Sequence, residues 1–204
     1  MFIRVQLNGP NEFGFVEAWV SWSLSLIDSF SHSSGEVLPC TTSRWKRVIA
    51  AASTDEKLDV CRQRGADDTI NYSTENLKDR AKELTGGKGV DVVYDCVGGA
   101  LAEQALRAIA WEGRFLVVGF TGGIPSIPLN LVLLKSCQIV GVFYGAMAAR
   151  EPARSAAISD QLIDWLASGE LRPYVSARYP LERAGEALRA MMDRTVVGKI
   201  VIEP

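Results

Sequence analysis

From Arg47 onward, short apolar runs alternate with segments of helical period, and glycine ends most of them. Val48 to Ala52 is a continuous apolar run, typical of a strand buried on both faces. Ser53 and Glu56 form a capping box, with Ser53 as the N-cap, and predict a helix that stops at Gly65. A buried strand and a capped helix therefore open this part of the chain.

The same alternation continues to the carboxyl terminus. The predicted strands are Thr69 to Tyr72, Val90 to Val97, Phe115 to Phe120, Gln138 to Tyr144 and Gly198 to Ile202. The predicted helices carry Leu77, Ala81 and Leu84; Leu101, Ala105, Leu106 and Ile109; Ile158, Leu162, Ile163 and Leu166; and Ala184, Leu188 and Met191. Strands that alternate with helices predict a parallel sheet covered on both faces. With right-handed crossovers, the predicted fold is α/β, a Rossmann-like doubly wound parallel sheet.

Residues 1–46 differ in composition from the rest of the chain. They form an atypical segment before a predicted dinucleotide-binding domain at 47–204. They hold three of the five tryptophans and the single histidine, His32. Residues 21–26 alternate strictly between serine and an apolar residue, which favours a strand. His32 lies among serines in a predicted loop, so a catalytic role for it is not favoured.

Composition and charge argue against several classes of function. The net charge of −2 gives no nucleic-acid footprint, and no apolar run is long enough to span a membrane. The four cysteines form no C-x-x-C pair, which argues against a structural zinc site and fits a reducing compartment. The cytoplasm is the expected compartment, with the mitochondrion as the alternative.

The G-x-G-x-x-G fingerprint that places a helix N-terminus under a pyrophosphate is absent from the sequence. The nearest run, Gly87-Lys88-Gly89, precedes a predicted strand instead of following one. In the usual strand order 3-2-1-4-5-6 the fingerprint strand is central, so the sheet is expected to be incomplete, with a gap at its centre. The alternating segment Trp19 to Ile27 is predicted to fill that gap.

Several runs resemble the medium-chain dehydrogenases/reductases, in their quinone oxidoreductase (zeta-crystallin) branch, over roughly residues 47–204. These runs are Arg47 to Lys57, Gly65 to Tyr72, Leu84 to Gly99, Trp111 to Phe120, and the tail from Tyr179 to Val201. The resemblance implies an NADPH-dependent, zinc-independent homodimer that reduces quinones or enones by hydride transfer.

Most of the substrate domain that the resemblance implies has no counterpart in this sequence. The composition break at residue 46 therefore keeps an alternative open. In that alternative the chain is a truncated, catalytically inactive dimerisation or nucleotide-binding domain of such an enzyme. Hydride transfer to a quinone needs little acid–base machinery, so no catalytic residue and no proton donor are assigned.

The resemblance also implies which residues contact the cofactor. A hydroxyl at Ser53 and an ammonium at Lys57 suit a 2′-phosphate better than the carboxylate of NAD enzymes does; the alternative is a helix cap and a solvated lysine. Tyr72 matches the adenosine phosphate side, or else it covers the core at a strand end.

The remaining candidates follow later strands, at the edge where open α/β sheets bind ligands. They are Val97, Gly98, Gly119, Phe120, Thr121, Val142, Phe143, Tyr144 and Lys199. The glycines either admit the cofactor to the backbone or only make turns. Val142 to Tyr144 either lies along the nicotinamide or forms an edge strand for dimerisation. Lys199 matches a second turn near the cofactor.

Overall fold

The computed structural model describes residues 2–4, 47–193 and 195–204. Within them, six strands form one sheet in the order β3-β2-β1-β4-β5-β6. The strands are β1 (Phe2–Arg4), β2 (Val48–Ala52), β3 (Asp68–Asn71), β4 (Val90–Asp95), β5 (Ile109–Val117) and β6 (Gln138–Gly141). Strands β2 to β6 run parallel, which confirms the predicted Rossmann-like class.

The helices follow the strands in sequence. They are α1 (Asp55–Gln63), α2 (Leu77–Leu84), α3 (Gly99–Ala108), α4 (Asn130–Leu134), α5 (Tyr144–Arg150) and α6 (Pro152–Ser168). A smaller parallel sheet pairs β7 (Val175–Pro180) with β8 (Lys199–Glu203). Between them lie a 3-10 turn (Leu181–Arg183) and helix α7 (Ala184–Met192). No described helix is long and apolar enough to cross a lipid bilayer.

Two cores cover the two faces of the large sheet. Val93 and Phe115 belong to one core, together with residues of α2 and α3, whereas their neighbours Tyr94 and Leu116 belong to the other. This period of two is what strands buried on both faces require. The second core is completed by α6 through Ile158, Leu162 and Trp165, spaced at i, i+4 and i+7. Ile163 and Leu166, predicted to share that face, are exposed.

The centre of the sheet differs from the expectation. No gap is present, because β1 lies between β2 and β4 and pairs with both. The prediction that Trp19 to Ile27 fills this position is therefore wrong; that segment lies outside the described residues. Both pairings of β1 are antiparallel, whereas a complete dinucleotide-binding fold has a parallel strand here.

Element boundaries were predicted less well than the elements themselves. Ile109 begins β5 instead of ending α3, because its backbone is already extended (φ −63°, ψ 145°). Strand β4 stops at Asp95, two residues before the predicted end at Val97, because the chain turns there. Strands β5 and β6 stop at Val117 and Gly141, each three residues before the predicted end.

Candidate functional site

The carboxyl ends of β2 to β6 meet at one edge of the large sheet, and most of the predicted cofactor residues lie there. Ser53 follows β2, Tyr72 follows β3, and Val97 follows β4. The others at this edge are Lys57 in α1, Gly98 beside Val97, Gly119, Phe120 and Thr121 after β5, and Val142, Phe143 and Tyr144 after β6. Lys199 does not follow a strand of the large sheet: it begins β8 in the smaller sheet, where its N–H donates to the carbonyl of Tyr174 at 2.8 Å.

At the β2–β3 end, hydrogen bonds join the two loops. The N–H of Tyr72 donates to the carbonyl of Ala52 at 3.1 Å, and the Ser73 hydroxyl donates to the carbonyl of Ser53 at 2.8 Å. The buried Asn71 side chain donates to a carboxylate oxygen of Asp55 at 2.9 Å. Asn71 is not among the predicted cofactor residues, although an asparagine at a strand end is a typical turn-forming residue.

Helix α1 is capped by Thr54, which corrects the prediction that Ser53 is its N-cap. The Thr54 hydroxyl oxygen accepts from the N–H of Lys57 at 3.4 Å, and Thr54 has the extended backbone that an N-cap needs. Within the described residues, neither the Ser53 hydroxyl nor the Lys57 ammonium takes part in a hydrogen bond or ion pair. Both groups are therefore available to a ligand at the start of α1.

At the β4–β5 end, backbone groups join the loops at residues 96–99 and 118–123. The N–H of Gly99 donates to the carbonyl of Gly123 at 2.7 Å, and the N–H of Gly122 donates to the carbonyl of Val97 at 2.6 Å. The Thr121 hydroxyl adds a bond to the carbonyl of Cys96 at 3.2 Å. We call these two joined loops the glycine clasp.

The glycines of the clasp allow one loop to approach the other. Gly98 has a φ of +71°, and a Cβ there would lie 2.5 Å from the carbonyl oxygen of Gly123. At Gly119 the nearest neighbour of a Cβ would be the carbonyl oxygen of Cys96, at 3.3 Å. The packing of one loop against the other therefore explains why glycine is needed at these positions, independently of any cofactor.

Beyond the clasp, apolar side chains border the edge. Phe120 is 47% exposed and Phe143 is 76% exposed, whereas Val142 between β6 and α5 is buried. The N–H of Val142 donates to the carbonyl of Val117 at 2.9 Å, which keeps the β5 and β6 ends together. The Tyr144 hydroxyl lies 3.3 Å from the Ser155 hydroxyl, so Tyr144 is tied to α6.

Strand β1 brings no pyrophosphate-binding residues to the centre of this edge. Phe2 is the end of β1 nearest the edge, and Arg4 lies toward the opposite edge, opposite Val48 and Val92. A pyrophosphate-binding loop must leave a central parallel strand at its carboxyl end and start a helix. The described residues therefore fit the two ends of a dinucleotide but not its middle.

Acidic, cysteine and histidine side chains do not form a metal centre in the described part of the chain, where no three of them are suitably grouped. Burial raises the pKa of the Cys137 thiol and of the Cys61 thiol, so both favour the protonated form over the thiolate that binds metals.

A doubly wound sheet whose loops converge at its carboxyl edge is the architecture that dinucleotide-binding dehydrogenase domains use. The family described as zinc-binding dehydrogenase matches residues 43–167, and the chain belongs to that family. The resemblance to the quinone oxidoreductase branch is confirmed by relatives in sequence and in structure.

One such relative, the quinone oxidoreductase-like protein 2 homolog of Nematostella vectensis, is 40% identical over 156 residues, which are 76% of this chain and 43% of the relative. Quinone oxidoreductase from Pseudomonas syringae matches with a TM-score of 0.66 at 31% identity, over 76% of this chain and 48% of that one. Escherichia coli quinone oxidoreductase complexed with NADPH matches with a TM-score of 0.67 at 29% identity, over 76% and 49%. The chain thus spans less than half the length of these proteins.

Proposed function

We propose that this chain is the NADPH-binding domain of an oxidoreductase that reduces quinones or enones by hydride transfer, without zinc. The main support for this proposal is the distribution of side chains along the carboxyl edge. Available polar groups lie at the β2–β3 end, and apolar side chains lie at the β4–β6 end. This division matches the two ends of a dinucleotide, one charged and one largely apolar. The Escherichia coli relative of similar fold is complexed with NADPH, which supports the proposal.

The β2–β3 end suits a 2′-phosphate. The Lys57 ammonium and the Ser53 hydroxyl each supply a hydrogen bond to the phosphate anion, and the first turn of α1 supplies the positive end of a helix dipole. The Asp55 carboxylate, which would repel a phosphate, accepts a bond from Asn71. We expect Tyr72, after β3, to border the adenosine moiety from the neighbouring loop.

The β4–β6 end suits the nicotinamide. Val97, Phe120 and Val142 border it with apolar surface, which limits the access of water to the reacting carbon. When bound, NADPH supplies the hydride, so the protein's part is to bind and orient it. Because Lys199 lies in the smaller sheet, its proposed contact with the cofactor depends on how that sheet meets the carboxyl edge.

A second candidate is a catalytically inactive nucleotide-binding or dimerisation domain. The antiparallel direction of β1 favours it, because this direction removes the loop that would bind the pyrophosphate. The half-exposed β6 strand and the exposed Phe143 supply an edge on which two copies could pair as a homodimer.

Calorimetric titration of the purified chain with NADPH and NADH tests the proposal. We expect NADPH to bind more tightly than NADH, and Lys57→Ala to weaken NADPH binding about tenfold while changing NADH binding little, because only NADPH has the 2′-phosphate. Lys88→Ala is the matched control, since Lys88 is an exposed lysine in the turn before β4, at the opposite edge of the sheet. Equal loss of affinity in the two variants would contradict the assignment of Lys57.

If a folded sample binds neither nucleotide, the reductase proposal fails and the inactive-domain candidate is favoured. If NADPH binds, quinone reduction by the same sample separates an active enzyme from a domain that only binds nucleotide. Sedimentation of the same sample tests the homodimer.

A further inference from the structure

Asp95, the last residue of β4, is a buried carboxylate at the base of the glycine clasp. Its side chain is 2% exposed. One carboxylate oxygen accepts two backbone bonds, from the N–H of Val97 at 2.8 Å and from the N–H of Gly98 at 2.9 Å. A buried carboxylate needs such donors, since burying a charge without them is costly.

The main chain of Asp95 binds the other loop. Its carbonyl oxygen accepts from the N–H of Val118 at 2.8 Å and from the N–H of Gly119 at 3.3 Å. The side chain thus fixes the loop after β4, and the backbone of the same residue fixes the loop after β5. The bonds of Gly99 and Gly122 then close the clasp farther from the sheet.

The two loops of the clasp are so close that few other arrangements of their backbones are possible. A Cβ at Gly99 would lie 2.5 Å from the carbonyl oxygen of Gly122, and a Cβ at Gly122 would lie 3.1 Å from both the carbonyl oxygen and a methyl of Val97. Because most of these contacts are with backbone atoms, a shift in one loop must displace the other. The carboxylate that sets the turn at Val97 and Gly98 therefore sets the position of Phe120 and Thr121 as well.

We propose that Asp95 is a positioning residue that joins the two loops into one unit and thereby places the apolar surface on which the nicotinamide end of NADPH binds. This inference rests on the proposed function for its ligand. It assigns to Asp95 no contact with the cofactor and no proton transfer. The residue acts only through the backbone of Val97 and Gly98.

The binding test compares NADPH with adenosine 2′,5′-bisphosphate, a ligand with the phosphoadenosine end alone. We expect Asp95→Ala to weaken NADPH binding about tenfold or more, because two hydrogen bonds to a charged group are lost, and to leave bisphosphate binding within about twofold. Asp95→Asn should restore most of the NADPH affinity, since an amide oxygen can accept the same two bonds. Equal weakening of both ligands by Asp95→Ala would overturn the proposal.

Amide hydrogen exchange tests the clasp without any ligand. We expect Asp95→Ala to speed exchange about tenfold or more at Gly99 and Gly122, in both loops, while the amides of β2 and β3 keep their rates. Gly122→Ala disturbs the clasp from an exposed position and should speed exchange at Gly99. Its matched control is Gly185→Ala in α7, where a Cβ would meet only a side-chain atom at 3.9 Å.

An effect of Asp95→Ala confined to residues 96–99 would overturn the coupling of the two loops. If the parent chain binds neither ligand, the proposed function fails and the placing of the nicotinamide fails with it, whereas coupled exchange would still establish that Asp95 joins the loops. The two failures are thus distinguishable.

Discussion

The flanks of the carboxyl edge and its centre are built by opposite rules. On the flanks, each loop follows a parallel strand and is tied to its neighbour, by Ser73 to Ser53 on one side and by the glycine clasp on the other. At the centre, β1 pairs with three residues of β2 and three of β4 but runs the other way. Within the described residues the sheet is thus continuous, while no loop follows a parallel strand at the centre of its carboxyl edge.

The difference separates what a sheet needs from what a ligand needs. A central strand in either direction satisfies the backbone groups of its neighbours, which would be costly to leave unpaired. Only a parallel strand also delivers a loop and a helix N-terminus to the carboxyl edge. We therefore expect stability to depend on the presence of β1, and ligand binding to depend on the flanks.

The largest expected effect is on β1 itself. Ile3 pairs with Ile49 and with Val93, so a proline at this position removes an N–H from the centre of the sheet. We expect Ile3→Pro to lower the free energy of unfolding by about 3 kcal/mol or more, measured by urea denaturation. Ile3→Val keeps the N–H and is the matched control, so its effect on the free energy of unfolding should be the smaller of the two.

If the proline variant is as stable as the valine variant, β1 does not fill the centre and the contrast between flank and centre disappears. Protection of the Ile3 amide from hydrogen exchange provides an independent check, since an amide in a central strand opens only with the surrounding sheet.

The elements on the flanks could be predicted because their pattern is local. Val48 to Ala52 is apolar throughout and Gly65 ends the helix that follows, and both features hold in the structure. The central strand could not be predicted in this way, since Phe2–Arg4 has only three residues and its role depends on pairing with partners more than 40 residues away. Long-range pairing of so short a strand has no periodic signal.

A prediction of intermediate size concerns the glycines of the flank. Gly98 combines a positive φ with a Cβ position 2.5 Å from a backbone oxygen, whereas Gly65, with a φ of +95°, has open space around it. We expect Gly65→Ala to cost about 1 kcal/mol from backbone strain alone, and Gly98→Ala to cost about 2 kcal/mol or more because the clasp must also open. Thermal or urea unfolding of the pair measures the difference, and equal costs would mean that the clasp is loose.

Most of the candidate residues could be expected at the carboxyl edge from the sequence, but their hydrogen bonds could not. The alternation of strands and turns locates Ser53, Tyr72 and Val97 near strand ends, although β4, β5 and β6 end two or three residues earlier than predicted. Asp95 was not singled out, because its role comes from backbone N–H groups that a one-dimensional pattern does not show. Lys199 was expected near the cofactor from the resemblance alone; it begins a strand of the smaller sheet, and its contact with the cofactor stays a prediction.

The smallest expected effect separates the two hydroxyls at the start of α1. The structure makes Thr54 the cap and leaves Ser53 for a ligand, so the two alanine variants should show opposite effects. We expect Thr54→Ala to lower the free energy of unfolding by about 1 kcal/mol, and Ser53→Ala to leave it nearly unchanged. In calorimetric titration with NADPH, Ser53→Ala should weaken binding about fivefold, the loss of one hydrogen bond to the phosphate, whereas Thr54→Ala should have the smaller effect. The reverse pattern would mean that Ser53 caps the helix and does not bind the phosphate. Lys57 would then be the remaining feature that distinguishes this flank from an ordinary helix start.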